Sequence, residues 1–528
     1  MNRRTFLRYA TATTACAVAG LETRPAEQAA APAASYRPNF LVILADDMGF
    51  SDLGCYGSEI RTPNLDRLAA EGLRFTQGYN CARCCPSRAS LLTGLYPHEA
   101  GVGKMVSFPD GPEKPGPYQG YLNDRCATLA ELLRAAGYRT YMSGKWHVGE
   151  MREHWPRRRG FDRYFGLISG GSSYWELLEE PGRKRVMAQD DEPFTPEPGE
   201  FYMTDAFSDF AVRCLREHAG RDEPFLLYLA YTAPHWPLHA WPEDIARYEG
   251  TYRIGWDELR RRRYTRQLEL GIIDPQWALS PRDGSVPAWE DVEDKPYWKR
   301  LMAVYAAMID RMDYGIGRVL QVLDETGAAE NTVVVFLSDN GGCDEDIAGR
   351  KLHTPGTRAG ERGSYDACKR PWANASNTPF RLYKKYIHEG GIATPFIVRW
   401  PRAFPRGGQL TREVAHITDI MPTCLDAAGA VYPETFAGRA LLPLAGRSLL
   451  PALRGESREP RPALFWEHFG NRGVRQDDWK YVATARGDWE LYNLAEDRTE
   501  LRSLGAEQPE KARELDALYA AWAGRVGV

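Results

Sequence analysis

Three cysteines crowd into five positions of YNCARCCPSRASLLTG, the stretch spanning residues 79–94. Cys81, Cys84 and Cys85 precede a proline, a serine and Arg88. Thiols at this density could bind a metal, form a disulfide, act as a redox pair or supply a nucleophile. A zinc knuckle needs a second pair of soft ligands nearby, which the sequence lacks. The redox pair lacks a thioredoxin-like context and no pattern asks for a Cys81–Cys85 disulfide, but both stay open beside the nucleophile.

A second set of side chains offers oxygen ligands and positive charge. Asp46, Asp47, Asp339 and Asn340 carry only oxygen ligands, which suit calcium or magnesium better than zinc. The side chains that could hold an anion beside such an ion are Arg88, Lys145, His147, His235 and Lys384. A divalent cation with several fixed positive groups is typical of a site for a tetrahedral oxyanion ester, a phosphate or a sulfate.

These side chains follow apolar runs that predict strands. NFLVILADD ends at Asp46 and Asp47, and NTVVVFLSDNGG ends at Asp339 and Asn340. EPFLLYLAYTAPHWP reaches His235 in the same way. Short continuous apolar runs are typical of strands buried on both faces of a sheet.

The fourth run, ATLAELLRAAGYRTYMSGKWH, predicts a helix that stops at Gly137 and a short strand before Lys145 and His147. Strands that alternate with helices predict an α/β fold with a large mixed, mostly parallel sheet sandwiched by helices. Ligands of such sheets bind beyond the carboxyl ends of the strands. Four strand ends with reactive side chains therefore indicate one common site.

Bulk composition excludes some partners. The 528 residues are 43% hydrophobic and carry a net charge of -4, so no nucleic-acid partner is expected. No apolar run is long enough for a transmembrane segment. Residues 1–34 begin with Arg3 and Arg4 before Phe6 and Leu7, the layout of a twin-arginine export signal, with a disordered basic tail as the alternative. The signal predicts a bacterial periplasmic or secreted protein that uses the twin-arginine export machinery.

Two other segments are candidates for the rim of the site. Residues 341–385 lack periodicity and are rich in Gly, Arg and Asn, which predicts a long functional loop. The basic stretch 252–283 fits either a second part of that rim or a solvated charged helix. Basic rims would suit a polyanionic ligand.

The sequence resembles the type I sulfatases, the formylglycine-dependent, arylsulfatase-like branch of the alkaline phosphatase superfamily. The family pattern Cys-x-Pro-Ser-Arg, continuing to Leu-Thr-Gly, is matched by Cys84, Pro86, Ser87, Arg88, Leu92, Thr93 and Gly94. Further blocks follow in the family's order, among them ADDMGFSDLGCYG, TPNLDRLAAEGLRF, SGKWHVG, APHWPLHA, LSDNGG and YKKYIHEGGIATPFIVRWP.

The resemblance implies that a maturation enzyme oxidises Cys84 to formylglycine, with Cys85 at the variable position. One hydroxyl of the hydrated aldehyde attacks the sulfate sulfur, and the other drives release of sulfate. Asp339 is implied as the base for the attacking hydroxyl. One calcium ion is implied to bind Asp46, Asp47, Asp339, Asn340 and residue 84.

The remaining roles are also carried over from the family. Arg88 and Lys145 would hold the hydrated aldehyde, and His147 would take a proton during elimination. His235 would protonate the leaving alcohol, and Lys384 would contact the sulfate.

The family blocks also contain Lys385, His239 and His388, which resemble catalytic side chains in type. Lys384 is preferred to Lys385 because it lies five residues before Glu389, as the family lysine does. His239 and His388 are expected to be partly buried and hydrogen-bonded rather than catalytic.

From about residue 431 the chain resembles the small C-terminal subdomain of the sulfatases, an antiparallel sheet plus a helix. The expected domains are therefore 36–430, catalytic, and 431–528, α+β. His468, Asn471 and Arg472 are predicted to reach the substrate pocket.

The leading functional prediction is a sulfuric ester hydrolase that acts on aryl sulfates or sulfated carbohydrates. The alternative is a phosphonate monoester or phosphodiester hydrolase of the same superfamily. A non-catalytic glycan-binding relative is the third possibility.

Overall fold

Ten strands form one mixed sheet in the computed structural model, which describes residues 37–106, 115–180, 183, 185–197 and 199–528. The export signal expected at residues 1–34 lies outside the described residues. The strands are β1 (Asn39–Ala45), β2 (Leu73–Tyr79), β3 (Arg139–Gly144), β4 (Arg163–Leu167), β5 (Met187–Gln189), β6 (Glu192–Phe194), β7 (Phe225–Ala230), β8 (Thr332–Ser338), β9 (Ala393–Arg399) and β10 (Gln409–His416). Their order across the sheet is β10-β2-β9-β8-β1-β7-β3-β4-β5-β6.

The centre of the sheet is parallel. Strands β8, β1, β7 and β3 are consecutive neighbours and run in the same direction, so their carboxyl ends meet at one edge. These are the four strands that the sequence predicted to end in reactive side chains. Antiparallel pairs involve β9, β5 and β6, and the sheet is therefore mixed, as expected.

Helices cover both faces of the sheet. They are α1 (Pro63–Glu71), α2 (Cys84–Thr93), α3 (Leu129–Ala135), α4 (Met203–His218), α5 (Pro242–Ala246), α6 (Gly255–Glu269), α7 (Lys295–Glu325), α8 (Lys369–Ser376), α9 (Glu389–Ile392), α10 (Ile420–Ala428), α11 (Leu450–Leu453) and α12 (Pro509–Val526). Strand β1 shows why both faces need cover, because Leu41 and Ile43 pack on one side and Phe40 and Val42 on the other. The first side is covered by α1, α4 and α7, the second by α2, α3 and α10.

The helix before β3 shows how local signals set an element. Thr128 caps α3, because its hydroxyl accepts from the Glu131 amide at 3.1 Å while the Glu131 carboxylate accepts from the Thr128 amide at 2.7 Å. Gly137, at φ 85°, ends the turn that leads into β3. The predicted helix, glycine stop and strand are thus confirmed.

The C-terminal part forms a second, antiparallel sheet. Its strands are β13 (Leu464–His468), β14 (Asn471–Gln476), β15 (Trp479–Ala483) and β16 (Glu490–Asn493), and α12 packs on one face; a separate two-stranded ribbon joins β11 (Thr435–Phe436) and β12 (Arg439–Ala440). The predicted antiparallel sheet and helix are therefore present. Among the described residues, no helix is both long enough and apolar enough to cross a membrane.

The segment 341–385 is more structured than the sequence predicted. It contains the short 3-10 helix Ala348–Arg350 and α8. The indole of Trp372, on α8, is fully buried and donates to the Trp298 carbonyl at 2.7 Å. A helix of eight residues makes only about two turns, too few for a detectable period.

The basic stretch 252–283 contains α6. Arg263 is buried and donates to Asp52 at 2.6 Å, whereas Arg261 and Arg262 are exposed and pair with Glu258. Since these cations already have acidic partners, α6 corresponds to the charged-helix alternative rather than to a basic rim.

A buried ion cluster ties the C-terminal sheet to the main sheet. The carboxylate of Glu389, at the start of α9, accepts from Lys480 of β15 and from Arg498, each at 2.8 Å, and from the Tyr79 hydroxyl at 2.9 Å. All four residues are buried, and Lys480 also contacts Glu500. Burial alone would raise the pKa of Glu389, but the charges of Lys480 and Arg498 outweigh it and lower the pKa to about 2.

Glu389→Gln is expected to destabilise the fold by about 3 kcal/mol at neutral pH, because it leaves buried cations undercompensated. The folded-state pKa lies below the ordinary value of 4.5, so the stabilisation is present above pH 4.5 and is lost as the pH falls towards 2. Chemical unfolding of both proteins across that range should show the difference shrinking. Glu269→Gln, at an exposed pair with Arg266, is the control and should cost less than about 1 kcal/mol. An equal effect of the two substitutions would contradict the role of the cluster.

Candidate active site

The reactive side chains lie where the four parallel strands end. Asp46 and Asp47 follow β1, Asp339 and Asn340 follow β8, and Lys145 follows β3. All five are buried. They come from three segments separated by up to about three hundred positions, and the parallel register brings them to one edge.

The chain turns sharply after two of these strands. Asp47 has φ 69° and His147 has φ 56°, in the left-handed region that residues other than glycine seldom adopt. Such a conformation costs on the order of 1–3 kcal/mol and persists where surrounding contacts hold it. Here it directs both side chains into the space beyond the sheet edge, where Asp47 contacts Lys384 and His147 contacts Cys84.

The carboxylates are paired with buried cations. Asp46 Oδ2 lies 2.5 Å from Lys145 Nζ and 3.4 Å from Arg88. Arg88 also donates to Asp339 at 2.8 Å. Asp47 accepts from Lys384 Nζ, 2.7 Å from Oδ1. Each negative charge is thus compensated by at least one positive charge.

The two carboxylates that share Arg88 titrate differently. Burial would raise the pKa of Asp46, but Lys145, His235 and Arg88 lower it to about 2. Burial and the charge of Asp46 raise the pKa of Asp339 well above its usual range, against the effect of Arg88. Burial and the neighbouring charge of Asp46 thus favour the protonated form of Asp339, and added positive charge would favour its ionised form.

The oxygen donors fit a hard divalent cation. Asp46 Oδ1 and Asn340 Oδ1 are buried polar atoms without a hydrogen-bond partner, although such atoms are nearly always satisfied. The amide of Asn340 donates to Asp47 Oδ1 at 2.7 Å, so its own oxygen remains free beside the carboxylates. Asp46, Asp47 and His235 also bring one donor atom each within 4.8 Å of one another. A bound cation would give the unpaired oxygens a partner, and its charge would lower the raised pKa of the carboxylate.

Cys84 is the first residue of α2, and its side chain is buried. Its Sγ lies 3.5 Å from His147 Nδ1, and Cys85 Sγ lies 3.3 Å from His147 Nε2. A hydrogen bond from Cys85 lowers the pKa of Cys84 well below its usual range, and Lys145 and His147 act in the same direction against burial. Burial raises the pKa of Cys85. The two adjacent thiols are therefore distinct, and their surroundings favour the thiolate form at Cys84 rather than at Cys85.

Ser87 and Arg88 attach α2 to the strand ends. The Ser87 hydroxyl donates to the Asp339 carbonyl and accepts from the Cys81 amide at 2.9 Å. Arg88 donates to the Lys145 carbonyl at 2.9 Å in addition to its ion pairs. Ser87 and Arg88 thus fix the start of α2 against the residues that follow β8 and β3.

None of the described cysteines forms a disulfide. Cys81 lies 3.3 Å from the Ser90 hydroxyl and 3.9 Å from His416 rather than against Cys85. The Cys81–Cys85 disulfide that the sequence left open is therefore not formed in this structure.

His147 and His235 differ in environment. Burial lowers the pKa of His147 to about 4, so its imidazole is neutral near neutral pH and can accept a proton. The pKa of His235 is also lowered by burial, although Asp47, 3.6 Å from its Nε2, opposes the shift. The Nδ1 of His235 lies 2.6 Å from the Trp236 carbonyl, which fixes the ring.

Two glycines make room for both imidazoles. A Cβ on Gly170 would lie 2.5 Å from the His147 ring, and one on Gly171 would lie 3.2 Å from His235. This pair was not predicted from the sequence, although a Gly-Gly dipeptide is a signal for close backbone approach.

Lys384 and Lys385 point to different partners. Lys384 contacts Asp47, whereas Lys385 Nζ lies 3.9 Å from Asp344. His239 is satisfied by protein groups: its Nε2 lies 2.8 Å from the Ser364 carbonyl, in line with the structural role expected for it.

The C-terminal candidates for substrate contact have different surroundings. His468 is fully buried, its Nε2 has no partner, and Arg83 and Cys84 influence its pKa, which burial lowers to about 3. Asn471 instead donates to the His468 carbonyl at 3.0 Å and accepts from the Ala485 amide, which fixes the β13–β14 turn.

Arg472 does not reach the site. Its guanidinium donates to two backbone carbonyls and lies 4.7 Å from the ring centre of Trp489, within the cluster that packs under α12. Alternation along β14 explains the difference, because neighbouring residues of a strand face opposite sides. The prediction for Arg472 was therefore wrong.

Comparison with known proteins identifies the family. The family model described as "Sulfatase" matches residues 38–430. The family model described as "N-sulphoglucosamine sulphohydrolase, C-terminal" matches residues 380–518. The chain belongs to the sulfatase family. It is 35% identical to an uncharacterised sulfatase of Schizosaccharomyces pombe, over 94% of this chain and 95% of that protein. It is also 35% identical to an arylsulfatase of Klebsiella aerogenes, over 81% of this chain and 94% of the relative.

Solved sulfatase structures agree with the fold. The crystal structure of Ps i-CgsB superposes with a TM-score of 0.69 at 26% identity, covering 92% of this chain and 93% of that one. The structure of another protein, in complex with its substrate D-glucosamine-2-N,6-O-disulfate, superposes with a TM-score of 0.64 at 25% identity, covering 93% of this chain and 98% of that one. The resemblance seen in the sequence is confirmed, and the protein is a sulfatase enzyme.

Proposed function

We propose that this sulfatase hydrolyses sulfuric esters of aryl alcohols or carbohydrates through a formylglycine hydrate at residue 84, with one calcium ion. The observation that carries the proposal is the position of Cys84 at the start of α2, 3.5 Å from His147 and under the influence of Lys145. A thiol alone would leave a covalent ester that needs a separate hydrolysis step. A hydrated aldehyde has a second hydroxyl on the same carbon and supplies its own release step.

The first step forms a bond between one hydrate oxygen and the sulfate sulfur while the bond from sulfur to the leaving oxygen breaks. Asp339 takes the proton of the attacking hydroxyl. His235 donates a proton to the leaving alcohol from its charged form, which Asp47 favours against the effect of burial, and Lys384 holds the sulfate. Arg88 and Lys145 hold the hydrate and its developing charge.

The second step restores the aldehyde. His147 takes the proton of the remaining hydroxyl. The electron pair of that O–H bond forms the carbonyl, and the bond between the carbon atom of residue 84 and the sulfate oxygen breaks. Its lowered pKa of about 4 supports this role, because a neutral imidazole accepts a proton. Water then adds to the aldehyde and regenerates the hydrate.

Calcium would be held by Asp46, Asp47, Asp339, Asn340 and residue 84. When bound, the ion would withdraw charge from the sulfate and favour the ionised hydroxyl of residue 84. The unpaired oxygens of Asp46 and Asn340 support this donor set.

His468 is proposed as a substrate contact from the C-terminal sheet. Its buried, unpartnered Nε2 and the influence of Arg83 and Cys84 on its pKa support a position beside residue 84. Asn471 would support the contact indirectly, through its bond to the His468 carbonyl.

Maturation and export follow from the same proposal. A formylglycine-forming enzyme would act on Cys84, and the twin-arginine machinery would export the folded protein to the periplasm or the medium. The paired Arg3 and Arg4 support this location. Fractionation of producing cells tests it, and retention of the full-length chain in the cytoplasm would contradict it.

Cys84→Ala is expected to lower kcat/KM for an aryl sulfate by roughly a thousandfold or more while leaving the melting temperature nearly unchanged, because it removes only the nucleophile. Cys214→Ala, at a buried cysteine of α4, is the matched control and should keep activity. The peptide containing residue 84 should also react with an aldehyde-specific probe in the wild type alone. Full activity of Cys84→Ala would overturn the mechanism.

Calcium should raise the melting temperature of the metal-stripped protein, since it binds only the folded state; at one hundred times its dissociation constant the gain is about 2.7 kcal/mol. Asp46→Asn should abolish this shift. Asp52→Asn, at a nearby buried carboxylate that pairs with Arg263, should lower stability but keep the shift. Persistence of the shift in Asp46→Asn would contradict the proposed ligand set.

A further inference from the structure

Glu345 is an acidic side chain held by the neighbours of two residues of the site. Its Oε1 accepts from Arg83 and its Oε2 from the Trp236 indole, each at 2.9 Å. The side chain is 24% exposed, so it is held in place and still faces solvent. Arg83 directly precedes Cys84, and Trp236 directly follows His235.

The charge of the Glu345 carboxylate interacts with the positive charges of the site. Burial alone would raise the pKa of Glu345, but the charges of Lys384, Arg83 and His235 lower it well below its usual range. Glu345 is therefore ionised throughout the neutral range. Its two oxygens have further lone pairs beyond the bonds to Arg83 and Trp236, and these can accept hydrogen bonds from a substrate.

Glu345 also lines an open cavity of about 640 Å³ that reaches Lys385, the residue after Lys384. The charged residues of its lining are Asp344, Glu345, Asp346, Lys369, Arg370 and Lys385. The lining therefore carries three acidic and three basic side chains.

The cavity's cations are already engaged. Arg370 lies 3.0 Å and Lys385 3.9 Å from Asp344, and Lys369 lies 3.3 Å from Asp346. The basic rim predicted from the composition of residues 341–385 is therefore charge-balanced on this side. Each of these three cations already has an acidic partner, so a second anionic group of a substrate would compete with Asp344 or Asp346 for them.

We propose that Glu345 selects the leaving group, favouring alcohols that carry a single sulfate and neutral hydroxyls over those with a second sulfate or a carboxylate nearby. Hydroxyl groups would donate to the Glu345 carboxylate, whereas another anion would be repelled by it. This inference rests on the proposed function and narrows its substrate class.

The test compares an aryl sulfate with its analogue bearing a carboxylate on the ring. The measured quantity is kcat/KM for the analogue divided by kcat/KM for the parent, so that differences in overall activity cancel. Glu345→Gln keeps the size and removes the charge, and the ratio should rise roughly five- to thirtyfold for a charge about 8 Å away. Glu258→Gln, an equal charge change on the exposed face of α6, should leave the ratio unchanged.

A second measurement uses the wild type alone, in case Glu345→Gln does not fold. Because salt screens repulsion between partly exposed charges, the same ratio should rise with ionic strength. Turnover of both esters with a ratio that stays constant in Glu345→Gln, or that falls with salt, would overturn this inference and leave the proposed function intact. Failure of the matured wild type to hydrolyse any sulfate ester would overturn the proposed function and the inference with it.

Discussion

Charge compensation at one buried sheet edge is the constraint on which the rest of the structure depends. The three carboxylates and three cations packed there are Asp46, Asp47, Asp339, Arg88, Lys145 and Lys384. Removing a charge from water costs several kcal/mol unless partners replace the lost hydration. The partners come from α2, the end of β3 and the segment before α9, so distant parts of the chain must meet for any one charge to be tolerated. A bound cation would complete this balance, since Asp46 and Asn340 each retain an unpaired oxygen.

The same constraint explains the short motif after Cys84. Ser87 and Arg88 bond to the residue after β8 and to the residue after β3, and they hold the start of α2 in place. A nucleophile derived from residue 84 would then sit on a rigid helix rather than on a loop, next to His147 and the cations. Positioning of this kind accounts for a large share of catalytic power in general.

Much of the fold and site follows from sequence because both rest on simple rules. Apolar runs that end in Asp46, Asp339 or Lys145 predict buried parallel strands, and parallel strands bring their carboxyl ends together. The direction of Arg472 did not follow, because it depends on the register of β14 against its neighbours. Glu345 was also missed, since an acid in a segment rich in arginine shows its partner only when the chain is folded. The helical part of 341–385 was too short to show a period.

The central claim is that this edge of the sheet is built to hydrolyse sulfate esters. It is tested most directly by kcat/KM for an aryl sulfate and for a phosphate diester with the same leaving group. The protein would be produced together with a formylglycine-forming enzyme and supplied with calcium. A clear preference for the sulfate ester is the predicted result. Preference for the diester would contradict the account, and His147, His235 and Lys384 would need different roles.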